Sequence, residues 1–468
     1  MNKIKLLYII LLLSIVTSCR KGYLDINTDP DAATKTEPEY LLNFSAAAFA
    51  NERMAEIYGT RLYTQTWLGG EYNAWDDEFF TVSPFTTNNF WSITYGDVIS
   101  NANQAREQAL IKFSEPDNAV AQVDVWKAYV FYSVSMLWED VPFTEVGQIN
   151  TIVAPKYDDQ QVVLNGVLSL LDDAIDKFNT GNNQKINDPW FSGDISKWKK
   201  LARSLKLKVL MTMVDADPTK ASEIGDLISD GGFMTSNSDN WSFNFINESG
   251  KKNPIWMIVE KYYGSDQECW LASNVVLDLL QSNNDPRIEQ FYELGPDATD
   301  YLGIDPYESN TAYISECSRV STNIVNGAYP DYMMTYAEQE LLIAEAITRG
   351  FASGDAASNF ASGVSASMDH YGVSGVDAST YITNLDFASA STSDALVLIY
   401  HEQYLDLFDR ALEPWTQWRR TEYPALTLPE YAEISDIIRR LSYSPTEQAA
   451  NANAKANKPL DTKMWFDL

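Results

Sequence analysis

The sequence predicts an all-α fold of stacked antiparallel helix pairs. Two observations predict it: apolar side chains recur at three-four spacing in one segment after another, and turn or cap residues close those segments. A third concerns what lies between them, where long stretches lose helical period and gain Gly, Pro, Asn and Tyr.

Residues 39–63 read as the first helix, with Leu42, Ala46, Phe49, Arg53 and Ile57 near helical spacing. An irregular aromatic stretch follows, from Trp67 through Gly69-Gly70-Glu71-Tyr72-Asn73-Ala74-Trp75 to Phe79, Phe80 and Trp91; it is the first candidate binding loop. Helix returns over 91–112 and again over 120–138, where Val123, Trp126, Val130, Val134 and Leu137 line up before Asp140-Val141-Pro142 stops the run. Leu164, Val167, Leu168, Leu171, Ile175 and Phe178 keep the same spacing, as do Trp198, Leu201, Ala202, Leu205 and Val209.

Residues 236–270 and 283–330 are excursions, and loops of that length on a helical frame usually carry function. Helix resumes with Met333, Tyr336, Ala337, Leu341, Ala344 and Ile347, closed by Arg349-Gly350. Residues 352–393, rich in Ala, Ser and Gly, read as helix-pair turns and small packing residues. A last long helix carries Leu396, Ile399, Tyr400, Tyr404, Leu407, Phe408, Ala411 and Leu412, and Pro414 is expected to interrupt it.

At the other end, Lys3 and Lys5 precede an apolar run from Leu6 to Val16, then Thr17-Ser18-Cys19. This layout predicts a signal peptide over 1–18 and a diacylglycerol on the Cys19 thiol, which would attach the chain to a membrane. The run is well short of the roughly 20 residues that span a bilayer. Residues 19–38 read as a lipid-anchored tether and 39–468 as a single domain, with excursions near 64–91, 236–270 and 283–330. Within the tether, Asp25-Ile26-Asn27-Thr28-Asp29 imitates the start of a calcium loop, but Pro30 replaces the required glycine and Thr36 the closing glutamate, so Asx turns are the better reading.

The formal charge is −31, and removing residues 1–18 takes two lysines and no acid, leaving −33. So acidic a body repels nucleic acid and anionic lipid; neutral or cationic ligands, or a partner with a basic face, fit it. Beyond Cys19 only Cys269 and Cys317 remain, either one disulfide or two buried thiols. Nothing calls for a cofactor or metal. The chain has two histidines, His370 and His401, and lacks a Gly-x-Ser-x-Gly elbow, a His-Glu-x-x-His helix and a phosphate-cradling glycine loop. With 65 acids, a carboxylate pair of the glycosidase kind stays open as an alternative.

Several stretches, in order, carry a resemblance: Tyr23-Leu24-Asp25-Ile26-Asn27-Thr28-Asp29-Pro30; Trp126-Lys127-Ala128-Tyr129 leading to Asp140-Val141-Pro142-Phe143; and Gly193-Asp194-Ile195-Ser196-Lys197-Trp198 running on to Leu205. Further on come Asp285-Pro286-Arg287, Tyr336-Ala337-Glu338, Trp415-Thr416-Gln417-Trp418-Arg419-Arg420, Leu441-Ser442-Tyr443-Ser444-Pro445 and Trp465-Phe466-Asp467. The chain resembles the SusD/RagB family of outer-membrane nutrient-binding lipoproteins, in its SusD-like branch. It departs from the family at Glu139, where glycine is common, and at Trp465-Phe466, where a Trp pair is common.

The resemblance implies tetratricopeptide-like helix pairs whose loops cup an oligosaccharide or polysaccharide, without catalysis. It also implies a partner, a SusC-like TonB-dependent outer-membrane transporter over which the protein acts as a lid. A peptide or other nutrient is the alternative ligand. Sugar C–H faces pair with the negative face of an aromatic ring while amides satisfy hydroxyls, so Tyr72, Asn73, Trp75 and Trp270 are the expected platform. Trp241 and Trp256 are weaker candidates because of their apolar neighbours. Trp126, Trp198, Trp415 and Trp418 are expected in the packing, and Arg419 and Arg420 are expected to pair with carboxylates.

Overall fold

The structure is a computed structural model and describes residues 36–57, 59–69, 82–148, 151–264, 269–306, 314–428 and 432–467. Residues 1–18, Cys19, the Asp25–Asp29 loop and nearly all of the tether lie outside the described residues.

The helices follow the three-four pattern. α1 (Pro38–Glu56) buries Leu42, Ala46, Phe49 and Arg53, and the short α2 (Gly59–Tyr63) follows it. After β1 (Leu68–Gly69), α3 (Pro84–Ile93) begins at Pro84 rather than at the expected Trp91, because Pro84 in the first turn has no amide to leave unsatisfied. It runs through a π-helical turn, Thr94–Ile99, into α4 (Ser100–Lys112), which packs along α1. α5 (Asp117–Trp138) is buried nearly all round, as befits its uniform apolar content, and the Trp126 Nε1 donates to Ser45 Oγ at 2.7 Å.

α6 (Gln160–Lys177) packs on α5, α7 (Ile195–Met213) on α6, and α8 (Lys220–Asp230) on α7. The Asp194 carboxylate caps α7 by accepting from the amides of Ser196 and Lys197.

The second excursion is less irregular than expected. It holds β2 (Trp241–Phe243) and a helix, α9 (Pro254–Tyr263), which Asn253 caps, Pro254 opens and Gly264 closes in the left-handed conformation. β3 (Trp270–Leu271) ends it, and α10 (Asn274–Ser282) follows. The third excursion contains α11 (Ile288–Phe291), β4 (Tyr292–Glu293) and β5 (Arg319–Val320).

Then β6 (Asp331–Met334) takes Met333 out of the expected helix, and α12 (Tyr336–Thr348) starts after Thr335, whose hydroxyl accepts from the Glu338 amide. α12 pairs with α13 (Ala356–His370) at a close approach that Gly363 permits: a Cβ there would meet Leu341 Cγ at 2.8 Å. α14 (Gly375–Leu385) packs on α13 and α15 (Thr392–Asp406) on α12. Pro414 does not interrupt a helix. α15 ends at Asp406, and Pro414 opens α16 (Glu413–Thr421), for the reason given for Pro84. α17 (Pro445–Ala450) is the last.

Cys269 and Cys317 are both buried. Many of the acids are matched inside the fold. Arg287 donates to Asp285 (2.6 Å) and Glu402 (2.7 Å), Arg420 straddles Glu345 (2.7 Å to each oxygen), and Arg53 bonds Glu413 (2.8 Å) beside Asp331 (3.3 Å). Arg420 thus meets a carboxylate as expected, whereas Arg419 does not. It donates to the carbonyls of Met136 and Arg439 and lies 3.8 Å over the Trp415 ring.

Candidate functional site

The three excursions meet in one small sheet, in the order β1-β3-β5-β4. Gly69 of the first pairs with Trp270 of the second, Leu271 pairs with Arg319 of the third, and Tyr292 and Glu293 pair with Val320 and Arg319. All of these pairs are antiparallel. Hydrogen bonds from Ile304 to Ala272 and from Ser318 to Leu302, at 2.9 and 2.8 Å, extend the network. The candidate loops are therefore rooted together, although they are far apart in sequence.

Tyr72, Asn73 and Trp75 lie outside the described residues, in the segment that follows β1. Trp270 is not an exposed platform. Its side chain is 1% exposed, packed against Trp67 at 5.7 Å between ring centroids. Trp67 continues the cluster to Phe408 (5.9 Å), which stacks on Phe291 at 4.0 Å, and the Arg61 guanidinium lies 4.6 Å over Trp67. Trp270 belongs to a wall of rings under the sheet, because on β3 its side chain points to the core face.

Trp256, the weaker candidate by sequence, is the better placed. It sits on the first turns of α9, half-buried, beside Met257, which is 47% exposed, and on the same excursion as Ile246, which is 50% exposed. Gly327 lets the third excursion come against this ring: a Cβ there would meet Asn247 Oδ1 at 2.4 Å and Trp256 Cδ1 at 3.1 Å. Asn253 locks the approach twice, donating its side-chain amide to the Tyr329 carbonyl (2.9 Å) and its backbone N–H to the Gly327 carbonyl (3.0 Å). A partly buried indole with an exposed amide alongside can stack on an apolar ring face and hydrogen-bond its hydroxyls. Trp241, by contrast, is fully buried among Trp126, Tyr129 and Trp190. Trp126, Trp198, Trp415 and Trp418 are buried, as expected.

The titratable clusters are structural in form. His370 Nε2 lies 3.0 Å from Asp409, which also accepts from Tyr329 (2.7 Å) and Tyr371 (3.0 Å). Burial alone would raise the Asp409 carboxyl, but these donors with Arg410 hold it down at about 2. Among the described residues one group has metal-like spacing, Asp285, His401 and Glu402. It does not fit a cation: Arg287 already occupies the space between the two carboxylates, and Tyr381 donates to the remaining Glu402 oxygen at 2.7 Å. Burial lowers the His401 imidazole, which keeps it neutral there.

A family model described as "Starch-binding associating with outer membrane" matches residues 30–444. The chain belongs to the SusD-like family. Solved SusD-like structures share its fold at low identity. A chitin-binding protein superposes with a TM-score of 0.80 at 22% identity, covering 92% of this chain and 100% of that one. A SusD homologue from Bacteroides fragilis gives 0.78 at 22%, with 92% and 100% covered. A chitin-binding SusD homologue from Flavobacterium johnsoniae gives 0.77 at 19%, with 92% and 99% covered. No curated protein matches the chain. The helix pairs are thus the tetratricopeptide-like scaffold of SusD-like proteins. Among the described residues, no helix is long and apolar enough to cross a membrane.

Proposed function

We propose that this SusD-like protein is a non-catalytic oligosaccharide receptor of the outer membrane, held by lipid on Cys19 after removal of residues 1–18. Residues 39–468 act as one domain that caps a TonB-dependent barrel transporter. The convergence of three excursions on one sheet carries the reading, since it gives a rigid base to loops rich in aromatic and amide side chains. Trp256 with Asn247 supplies a stacking surface, and Tyr72, Asn73 and Trp75 are further ligand-binding residues in this reading. The family's description as starch-binding, and two relatives named for chitin binding, support a glycan as the ligand class.

Affinity capture of the protein from solubilised envelopes tests the assembly. The expected result is co-purification of a barrel transporter and loss of membrane retention in Cys19→Ala. Recovery without any barrel protein, or unchanged retention of the Cys19→Ala chain, would contradict it.

A further inference from the structure

We propose a second oligosaccharide site, in an open groove of about 790 Å³ between α13, α14 and the turn at Ser236-Asn237. It lies on the helix pairs and not on the sheet that gathers the excursions. The proposal rests on the glycan reading of the chain, but on different residues.

The lining is suited to a neutral, hydroxyl-rich ligand. Tyr336, at the start of α12, offers a half-buried ring, with Ser362 beside its hydroxyl. Ser365 on α13 faces Ser379 and Thr383 on α14 across the groove. The Ser379 and Thr383 hydroxyls donate to the carbonyls of Gly375 (2.7 Å) and Ser379 (2.8 Å), so their oxygens keep acceptor capacity toward the groove. Asn237 fixes one end by donating to the Ala366 carbonyl (2.9 Å) and to Asp369 Oδ2 (2.8 Å).

No lysine or arginine is among the lining residues, and Asp369 is their one charge, which disfavours phosphate, sulfate and acidic sugars. One aromatic face, several hydroxyls and a carboxylate form the combination that stacks on a pyranose face and bonds its rim. The 30 Å³ internal cavity beside Lys208 and Glu413 has room only for water.

Calorimetric titration with chitohexaose and with maltohexaose tests this on the whole chain. The variants are Ser365→Trp and Ser379→Trp, which fill the groove from opposite walls at exposed positions, and Trp256→Ala. The wild-type chain should take two molecules of one probe. Each groove-filled variant should take one, with an unchanged melting temperature and a loss of about tenfold or more at the missing site. Groove-filled variants whose stoichiometry and affinity match those of the wild-type chain overturn the groove. If Trp256→Ala alone changes binding, the groove fails and the loop-face reading stands. If the groove variants alone change it, the loop-face reading fails and the groove stands.

Discussion

Trp270 packs against Trp67 with ring centroids 5.7 Å apart, and the two rings sit under the pairing of β1 with β3, Leu68 with Leu271 and Gly69 with Trp270, that joins the first excursion to the second. One side chain thus fixes both the core and the base of the loops. Replacing it should cost stability before it costs affinity. Trp270→Ala is expected to lose about 3–5 kcal/mol in urea unfolding, the range for emptying a buried aromatic site. A loss within the error of the extrapolation would mean the ring is not packed as described.

Arg287 bonds both Asp285 and Glu402, and all three side chains are fully buried. Arg287→Ala leaves two carboxylates in the interior without their partner and should destabilise by about 3–5 kcal/mol. Zinc or calcium added to the wild-type protein should leave its melting temperature unchanged. A rise would revive a metal reading of the Asp285, His401 and Glu402 group.

Asp331 supplies a pH dependence of opposite sign to ordinary acid unfolding. Burial, against the pull of Arg53, raises its carboxyl from 3.8 to about 7. The folded state then binds a proton that the unfolded chain releases, so this contribution is complete below 3.8 and is lost as pH rises to about 7. Asp409, held at about 2, acts the other way, and its contribution is lost as pH falls from 3.8 toward 2. Asp331→Asn should flatten the stability profile between pH 4 and pH 7 relative to wild type. An unchanged slope in denaturant titrations across that window would contradict the assignment.

Much of the scaffold is legible in the sequence because helices report themselves locally. The spacing of Tyr336, Ala337, Leu341, Ala344 and Ile347 marks a helix that the structure keeps, and the spacing from Leu164 to Ile175 fixes the buried face of α6. Local signals also mislead. Pro414 reads as a break and is a first-turn residue, and α9 hides in a stretch whose Asn and Gly suggest only loop. The site is harder, because exposure is decided by partners far along the chain. Trp270 and Trp256 are the same residue type on one excursion, and the Gly69 and Gly327 contacts that separate their fates lie about 200 and 70 residues away. Arg419 and Arg420 differ likewise: a rotation of about 100° on α16 sends one to carbonyls and the other to Glu345.

Glu139 stands where the family resemblance expects glycine, and its φ is +72°. Its carboxylate compensates by binding Arg440 (2.7 Å) and Lys458 (2.5 Å). Glu139→Ala loses the pairs and keeps the backbone strain, whereas Glu139→Gly loses the pairs and relieves it. The alanine variant should therefore be less stable than the glycine variant by about 1–2 kcal/mol. Equal stabilities in thermal unfolding would show that the backbone carries no strain at this position.

The most direct measurement of the central claim is oligosaccharide affinity of the wild-type protein and Trp256→Ala, by calorimetry with chitohexaose and maltohexaose, with the products assayed for new reducing ends. The predicted result is binding without turnover, weakened at the loop-face site by roughly 1–3 kcal/mol in the variant, at a melting temperature close to wild type. Undiminished affinity in Trp256→Ala, or release of reducing ends by the wild-type chain, would contradict a non-catalytic glycan receptor built on this face.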